Sequence, residues 1–229
     1  MGKFLLVIAH ANPNETSISH RLAKASATAL TEAGHSVKTL DLVKSIFLQC
    51  ASKDDFKEIT ERFDYLQMQT ETNIQDNIKE QQEIVRWADT VIVYAPIWFW
   101  RLPACFYAFQ ERIFTRGFYP LKEKKRALFV VTAGGTNEYY SHGGFIPTEA
   151  MLYTTTYPMH RCNFEVYRSL PVFNCETHTT EERIESLCNN IKKIIVDLEN
   201  RPLLEFGKNK QEGKDEIELF GLLPNLALD

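Results

Sequence analysis

Short apolar runs that alternate with helix-like segments restrict the fold of this chain more than any other feature. The run at 3–9, KFLLVIA, is apolar at nearly every position, as expected for a strand covered on both faces. The next segment, 17–35, repeats apolar residues at helical spacing and stops at Gly34, a residue suited to a left-handed helix cap. A strand followed by a helix in this way predicts a parallel β-α-β unit.

The same alternation continues along most of the chain. Further strands are predicted at 36–42, 89–96, 126–135 and near 162–168, and further helices at 78–88, 103–117 and 178–200. Thr179 and Glu182 have the spacing of a capping box at the start of the last helix. The segment from 44 to about 78 is polar and predicts only an irregular excursion, and a loose stretch precedes the fifth strand.

This order predicts a doubly wound, five-stranded parallel sheet with helices on both faces. We expect one α/β domain at 1–206, because a chain of 229 residues can bury a full core. The tail at 207–229 begins charged and ends apolar, which predicts a segment that packs on a second subunit or frays.

Composition and charge argue against several classes of protein. A net charge of -4 gives no basic surface for nucleic acid or an anionic membrane. No apolar run approaches the ~20 residues of a membrane span, and the amino terminus fits a first strand better than a signal peptide. The five cysteines include no CxxC spacing, which argues against a disulfide framework or a zinc site. We therefore expect reduced thiols and a cytoplasmic protein.

Ligands of a doubly wound sheet bind beyond the carboxyl ends of its strands, where the strand order reverses. If the order is flavodoxin-like, three loops of this chain meet there: 10–19, 96–102 and 132–140. Neither GxGxxG nor GxxxxGK[ST] occurs in them. Their absence argues against a Rossmann dinucleotide fold of the usual kind and against a P-loop nucleotide hydrolase.

The first loop ends at a helix amino terminus rich in hydroxyl groups, contributed by Thr16, Ser17 and Ser19. Free N–H groups and the helix dipole favour an anion such as phosphate at that end, although the hydroxyls can equally be ordinary helix caps. His10, at the strand end, is either a phosphate ligand or a core histidine.

The other two loops carry glycines and aromatic rings. Gly134 and Gly135 allow a ligand to approach the backbone closely, or simply form a tight turn. The tyrosines that follow at 139 and 140 can donate a proton or pack as a buried pair. The aromatic row at 98–100 suits a planar heterocycle or a dimer interface. A phosphate site, a glycine pair and an aromatic platform in one crevice together indicate a flavin.

These segments resemble those of the NAD(P)H:quinone oxidoreductase (DT-diaphorase) family and its bacterial quinone and drug-reductase relatives. The matching stretches are AHANPNETSIS, PIWFWRLPACFYAFQERIF and VTAGGTNEYYSHGG, and the resemblance extends over about residues 3–200. It implies a flavodoxin-like fold, a tightly bound flavin and a homodimer with each site at the subunit interface. It also implies ping-pong, two-electron reduction of quinones, with NADH or NADPH as the hydride donor.

The resemblance also implies a role for each matching residue. Tyr140 would be the catalytic residue, steadying negative charge on the flavin ring, and Arg183 would lie near the adenine end of FAD. The remaining cofactor contacts would be His10, Thr16, Ser17, Ile18 and Ser19 at the phosphates, Pro96, Ile97, Trp98 and Phe99 at the ring, and Thr132, Ala133, Gly134 and Gly135 as N–H donors. The substrate contacts would be Trp100, Tyr119, Tyr139 and His142.

The chain departs from the family pattern at several positions. The histidine that assists the tyrosine in the eukaryotic enzymes would fall near Ile146, and whether His142 replaces it stays open. Ala133 stands in place of threonine, the segment at 119–124 is shorter than in the animal enzymes, and Arg101 stands where those enzymes have a glycine. His178 matches a histidine at the pocket mouth or is a helix-entry residue.

Two other functions remain open at this stage. One is an FMN-dependent azo- or nitroreductase, although Arg183 favours FAD over FMN. The other is a flavin-binding regulatory subunit of a partner protein.

Overall fold

The parallel sheet has the strand order that the sequence predicted. In the computed structural model, which describes residues 1–12, 14–176, 179–207 and 216–229, the order is β2-β1-β3-β4-β5, with β6 also paired to β4, and every pairing is parallel. The strands are β1 (Lys3–Ile8), β2 (Ser36–Asp41), β3 (Thr90–Pro96), β4 (Lys125–Thr132), β5 (Phe164–Val166) and β6 (Leu170–Val172). The flavodoxin-like order 2-1-3-4-5 is thus confirmed.

Helices cover both faces of the sheet. They are α1 (Ile18–Glu32), α2 (Tyr65–Met68), α3 (Asp76–Trp87), α4 (Ala104–Ile113), α5 (Thr148–Arg161), α6 (Glu181–Val196) and α7 (Glu216–Gly221). Along β1, Leu5 and Val7 join one buried cluster with α3, α4 and α5, and Leu6 and Ile8 join the other with α1 and α6. Both faces are therefore apolar, which explains the continuous apolar run in the sequence.

Two boundaries near the end of the domain differ from the prediction. The fifth strand is two short strands, β5 and β6, rather than one strand near 162–168. The helix at 178–200 begins later, at Glu181, so Thr180 is its cap and accepts a hydrogen bond from the N–H of Arg183. The predicted capping box of Thr179 and Glu182 is therefore wrong. The Gly34 cap is confirmed by its φ of 84°.

The polar excursion at 44–78 is held to the domain by a buried ion pair. Arg112 of α4 lies 2.8 Å from Asp55, and both side chains are almost fully buried. Arg112 also donates to the carbonyl of Ile46. Nearby, Phe56 and Ile74 pair their backbones and share a small apolar cluster. Two charges that are buried together satisfy each other, so a polar sequence can still be ordered.

The described part of the tail, 216–229, packs on its own protomer. Phe220 is buried, and the N–H of Leu228 donates to the carbonyl of Pro171 over 2.9 Å. Arg168 binds the carbonyl of Pro224, and Arg201 binds that of Leu226. Contact of the tail with a second subunit stays a prediction. Within the described ranges, no helix is long and apolar enough to cross a membrane.

Candidate functional site

A crevice of about 610 Å³ opens at the carboxyl ends of the strands, where the sequence placed the three loops. Many predicted site residues line it: His10, Thr16, Ser17, Ile18, Ser19, Pro96, Ile97, Trp98, Thr132 and Gly134. Asn12, Cys175, Glu176, Thr179, Glu181 and Ile184, which the sequence analysis did not name as ligand contacts, also line it. Several of these belong to α6 or the segment before it, and only the three-dimensional packing of α6 against α1 brings them here.

The amino terminus of α1 forms one end of the crevice. Ser17 caps the helix and accepts a hydrogen bond from the N–H of His20. The N–H groups of Ile18 and Ser19 lie in the first turn of the helix, where no carbonyl group of the helix is placed to accept their hydrogen bonds. The first turn also contains no acidic side chain. Two free donors and the positive end of the helix dipole favour an anion here.

His10 adds a further donor beside this helix start. Its Nδ1 accepts the backbone N–H of Asn12 over 3.0 Å, so the neutral ring carries its proton on Nε2. Burial, and next the neighbouring His20, lower the pKa of His10, which favours that neutral form. The ring lies edge-on to Trp98, with 5.2 Å between centroids.

The aromatic row is a tight turn. Trp98 and Arg101 exchange two backbone hydrogen bonds, of 2.9 and 3.2 Å, and the residues between them have positive φ: 50° at Phe99 and 65° at Trp100. Positive φ at both central positions is typical of a type I′ turn, which usually takes Asn and Gly. The turn directs Trp98 into the crevice and leaves Phe99 at the tip, 91% exposed. Arg101 therefore has a structural role through its backbone, which closes the turn.

Trp100 belongs to a stack of rings outside the lining of the crevice. It stacks on Phe145, with centroids 4.8 Å apart and planes 14° apart, and on Tyr139 at 5.6 Å. Phe145 is nevertheless 70% exposed. The sequence did not indicate Phe145, because only the fold of the 136–147 loop brings it onto Trp100.

Tyr140 packs against this stack, with its ring centroid 6.0 Å from that of Trp100 and 5.2 Å from that of Tyr139. Its ring is only 7% exposed and stacks on Phe173, with centroids 5.7 Å and planes 19° apart. Burial raises the pKa of the Tyr140 phenol. The phenol therefore stays protonated at neutral pH and can act as a hydrogen-bond donor.

The two glycines of the third loop have different surroundings. A Cβ atom on Gly135 would lie 2.9 Å from the Tyr140 ring, whereas one on Gly134 would meet nothing within 4 Å. Gly135 therefore makes room for a tyrosine, and Gly134 borders the open crevice. The N–H of Ala133 donates to the carbonyl of Val172 over 2.9 Å. The expectation that Ala133 offers its N–H to a ligand is therefore wrong.

Three further predicted contacts are already engaged with the protein. The hydroxyl groups of Ser19 and Thr132 lie 3.3 Å apart in a buried position, where they join the start of α1 to the end of β4. The guanidinium of Arg183 donates to the carbonyl of Phe173 over 2.9 Å. Arg183 thus lies close to Phe173, the residue on which Tyr140 stacks, and outside the lining of the crevice.

None of the four predicted substrate residues lines the crevice within one protomer, and neither does Tyr140. Trp100 and Tyr139 belong to the stack of rings described above. Tyr119 lies at the opposite end of the sheet, where its N–H donates to the carbonyl of Thr115 shortly before β4 begins. His142 is exposed on the loop that follows Tyr140. His178 lies outside the described residues.

Comparison with known proteins matches most of the chain. A family model described as a flavodoxin-like fold matches residues 2–195. The ribosyldihydronicotinamide dehydrogenase-like protein traD of Penicillium crustosum is 27% identical, over 84% of this chain and 80% of that protein. NAD(P)H dehydrogenase [quinone] 1 of Rattus norvegicus is 25% identical, over 87% and 78%. A solved structure from Klebsiella pneumoniae, assigned as a candidate quinone reductase, has a TM-score of 0.78 and 25% identity, over 89% and 87%.

Proposed function

The chain belongs to the flavodoxin-like family, and from this premise we propose that it is a flavin-dependent NAD(P)H:quinone oxidoreductase. The relatives named as a ribosyldihydronicotinamide dehydrogenase-like protein and as NAD(P)H dehydrogenase [quinone] 1 support an oxidoreductase. One observation carries the proposal: a helix start with free N–H groups, the open edge at Gly134 and the Trp98 ring all border one crevice. Such a combination suits a phosphate joined to a planar ring.

The residues present fit a flavin. The N–H groups of Ile18 and Ser19 and the Nε2–H of His10 would hold its phosphate. The backbone at Gly134 would approach the ring edge, since no side chain fills the space where its Cβ would lie. Pro96 and Trp98 would contact the ring itself. A bound flavin supplies the capacity to accept a hydride from NADH or NADPH and to pass it to a quinone.

Tyr140 would serve as a hydrogen-bond donor to negative charge that develops at the ring. Its burial keeps the phenol protonated, and the stack on Phe173 fixes the direction of the ring. A fixed donor needs no reorganisation during the reaction, which is the source of its catalytic effect. Trp100, together with Phe145, would form the wall against which a planar acceptor lies.

We also propose that the enzyme is a homodimer that works by a ping-pong mechanism with FAD as its flavin. The turn tip at Phe99 and the neighbouring stack of Trp100, Tyr139 and Phe145 leave several aromatic rings exposed, which is the kind of apolar patch that a subunit interface covers. Tyr119 lies far from the crevice of its own protomer, so any contact with substrate would be made in the site of a second subunit.

An absorption spectrum of the purified protein tests the flavin first. We expect flavin bands near 370 and 450 nm, which anaerobic titration with NADH or NADPH bleaches. Chromatography of the flavin released by heat distinguishes FAD from FMN. A colourless protein that takes up no added flavin would refute the proposal.

Turnover then distinguishes the alternatives. Rapid reduction of menadione by the isolated protein supports a quinone reductase and argues against a regulatory subunit. Faster turnover of an azo dye such as methyl red than of any quinone supports an azoreductase instead.

A further inference from the structure

Ser17, His20 and Asp41 form a chain of polar side chains behind the phosphate end of the crevice. Oγ of Ser17 lies 2.7 Å from Nδ1 of His20, and Nε2 of His20 lies 3.6 Å from Oδ2 of Asp41. His20 is only 4% exposed, whereas Ser17 lines the crevice. A buried histidine therefore connects, through one hydroxyl group, with the proposed phosphate site.

Within the set of Ser17, His20 and Asp41, two side-chain atoms are buried without a hydrogen-bond partner among the described residues: Nε2 of His20 and Oδ2 of Asp41. They face each other at 3.6 Å, too far for a good hydrogen bond but close enough for a strong electrostatic interaction. The proton of the ring must lie on Nε2, because a nitrogen lone pair there would face a carboxylate oxygen.

The position of that proton determines what Ser17 can do. In neutral His20, Nδ1 has no proton and must accept the hydrogen bond from the Ser17 hydroxyl. Ser17 then presents only an oxygen lone pair to the crevice, which would repel a phosphate oxygen. When His20 takes up a proton from solvent, Nδ1–H donates to Ser17, and the Ser17 hydroxyl is free to donate into the crevice.

We propose that proton uptake by His20 accompanies binding of the flavin phosphate, because it turns the Ser17 hydroxyl into a donor toward that phosphate. The inference rests on the proposed function. It makes His20 a positioning residue, which acts through Ser17 and does not touch the cofactor. The negative charge of the phosphate stabilises the protonated His20 ring, and the protonated ring, acting through Ser17, raises the affinity for the phosphate. Proton uptake and phosphate binding are therefore thermodynamically linked.

Other charged groups surround His20, and one of them is a second histidine, the residue type whose charge can change near neutral pH. These groups are His10, Glu15, Lys24, Asp41 and Lys44, and, across the neighbouring cavity, Lys192 and the Arg21–Glu181 ion pair. Nδ1 of His10 is already an acceptor, and burial lowers the pKa of His10. A test must therefore separate His20 from His10.

The dissociation constant of FAD, measured by fluorescence between pH 5.5 and 8.5, tests the proposal. FAD is the suitable probe because its pyrophosphate keeps its charge over this range, whereas a phosphate monoester titrates near pH 6. We expect FAD to bind about tenfold more tightly at pH 5.5 than at pH 8.5, as for one charge-assisted hydrogen bond. Riboflavin lacks the phosphate, and its binding should not follow this dependence.

Variants then assign the effect. In His20→Gln and in Ser17→Ala we expect the pH dependence of FAD binding to fall below about threefold, since either change breaks the link. His35→Gln is the matched control, because His35 accepts a backbone hydrogen bond at the opposite end of the sheet. Calorimetry of the wild-type protein in two buffers of different ionisation enthalpy should show net proton uptake on FAD binding near pH 7, which requires no variant to fold.

Two results would overturn the proposal. One is FAD affinity that does not depend on pH, with no proton uptake, and the other is a dependence that persists undiminished in both His20→Gln and Ser17→Ala. Either result would leave the proposed function intact. Failure to bind FAD or FMN at any pH would instead refute the proposed function.

Discussion

The side-chain amide of Asn225 donates a hydrogen bond to the carbonyl oxygen of Tyr140 over 3.1 Å. The same Nδ2 atom also donates to Oδ1 of Asn137 over 2.8 Å. The carboxyl-terminal segment therefore clamps the two ends of the short turn that carries Tyr139 and Tyr140. This contact gives the end of the chain a direct influence on the position of the proposed catalytic phenol.

Replacement of Asn225 by Ala should loosen this turn and slow hydride uptake by the flavin. The Tyr140 carbonyl keeps its bond from the N–H of Thr148, so we expect a loss of only about 1 kcal/mol in stability. The rate of flavin reduction in stopped-flow measurements should fall several-fold. Asn200→Ala is the control, because Asn200 binds Asp197 on the exposed surface. Equal reduction rates in both variants and the wild type would show that the clamp has no catalytic consequence.

Replacement of Tyr140 by Phe should have a larger effect on the same rate constant. The change removes only the hydroxyl group, so the ring should keep its stack on Phe173. Loss of one fixed donor to developing negative charge typically costs about 100-fold, which stopped-flow reduction by NADH would reveal. Tyr139→Phe is the matched control on the neighbouring ring. An unchanged rate in Tyr140→Phe would remove the role proposed for this residue.

The raised pKa of Tyr140 predicts how flavin reduction responds to alkaline pH. Burial favours the neutral phenol, so the folded protein holds this proton above the ordinary tyrosine value of about 10. The donor is therefore intact below that pH and is lost only above it. We expect a reduction rate constant that shows no phenol ionisation between pH 7 and 10. A fall in rate with a midpoint near pH 8, absent from Tyr140→Phe, would contradict this assignment.

The two neighbouring glycines should respond in opposite ways to alanine. In Gly135→Ala the new methyl group would meet the Tyr140 ring at 2.9 Å, so we expect a loss of about 1–3 kcal/mol in stability. In Gly134→Ala the methyl group meets no protein atom, so the melting temperature should not change. That methyl group would, however, occupy the place of the flavin edge, and flavin affinity should fall about tenfold or more. Thermal unfolding and flavin titration of both variants check this contrast. Each variant serves as the control for the other.

The elements with strong periodic signals were predictable, and those fixed by distant contacts were not. The strand at 3–9 and the helix at 17–35 each contain enough regularly spaced apolar residues to be predicted from their own sequence. The helix at Thr148–Arg161 has a threonine-rich sequence with an internal proline, and it is buried only because the sheet covers it. The family resemblance implies that the N–H of Ala133 faces a ligand, but this N–H donates to the carbonyl of Val172, in a strand far along the chain that no local pattern reveals. The Asn225 clamp joins positions that are 85 residues apart, so no local pattern indicates it.

The positive φ at Phe99 predicts a gain in stability when the residue is replaced by Asn. A bulky side chain at φ 50° is strained, whereas Asn adopts this conformation readily. Because the ring is 91% exposed, its removal gives up little buried surface within the protomer. We expect Phe99→Asn to be about 1 kcal/mol more stable than Phe99→Ala in urea unfolding. Alanine removes the same ring without relieving the strain, so it is the matched control.

The dependence of this result on protein concentration then tests why a strained phenylalanine stands at the tip of the turn. Strain of this kind persists where the side chain has a function. If the ring packs against a second subunit, both variants should be less stable than the wild type at high protein concentration, where the wild type is dimeric. Both should also dissociate more readily than the wild type in analytical ultracentrifugation. If Phe99→Asn and Phe99→Ala have the same stability as each other at every concentration, the strain at Phe99 does not exist. If Phe99→Asn is the more stable variant but assembles like the wild type, the strain is real and the dimer forms through another surface.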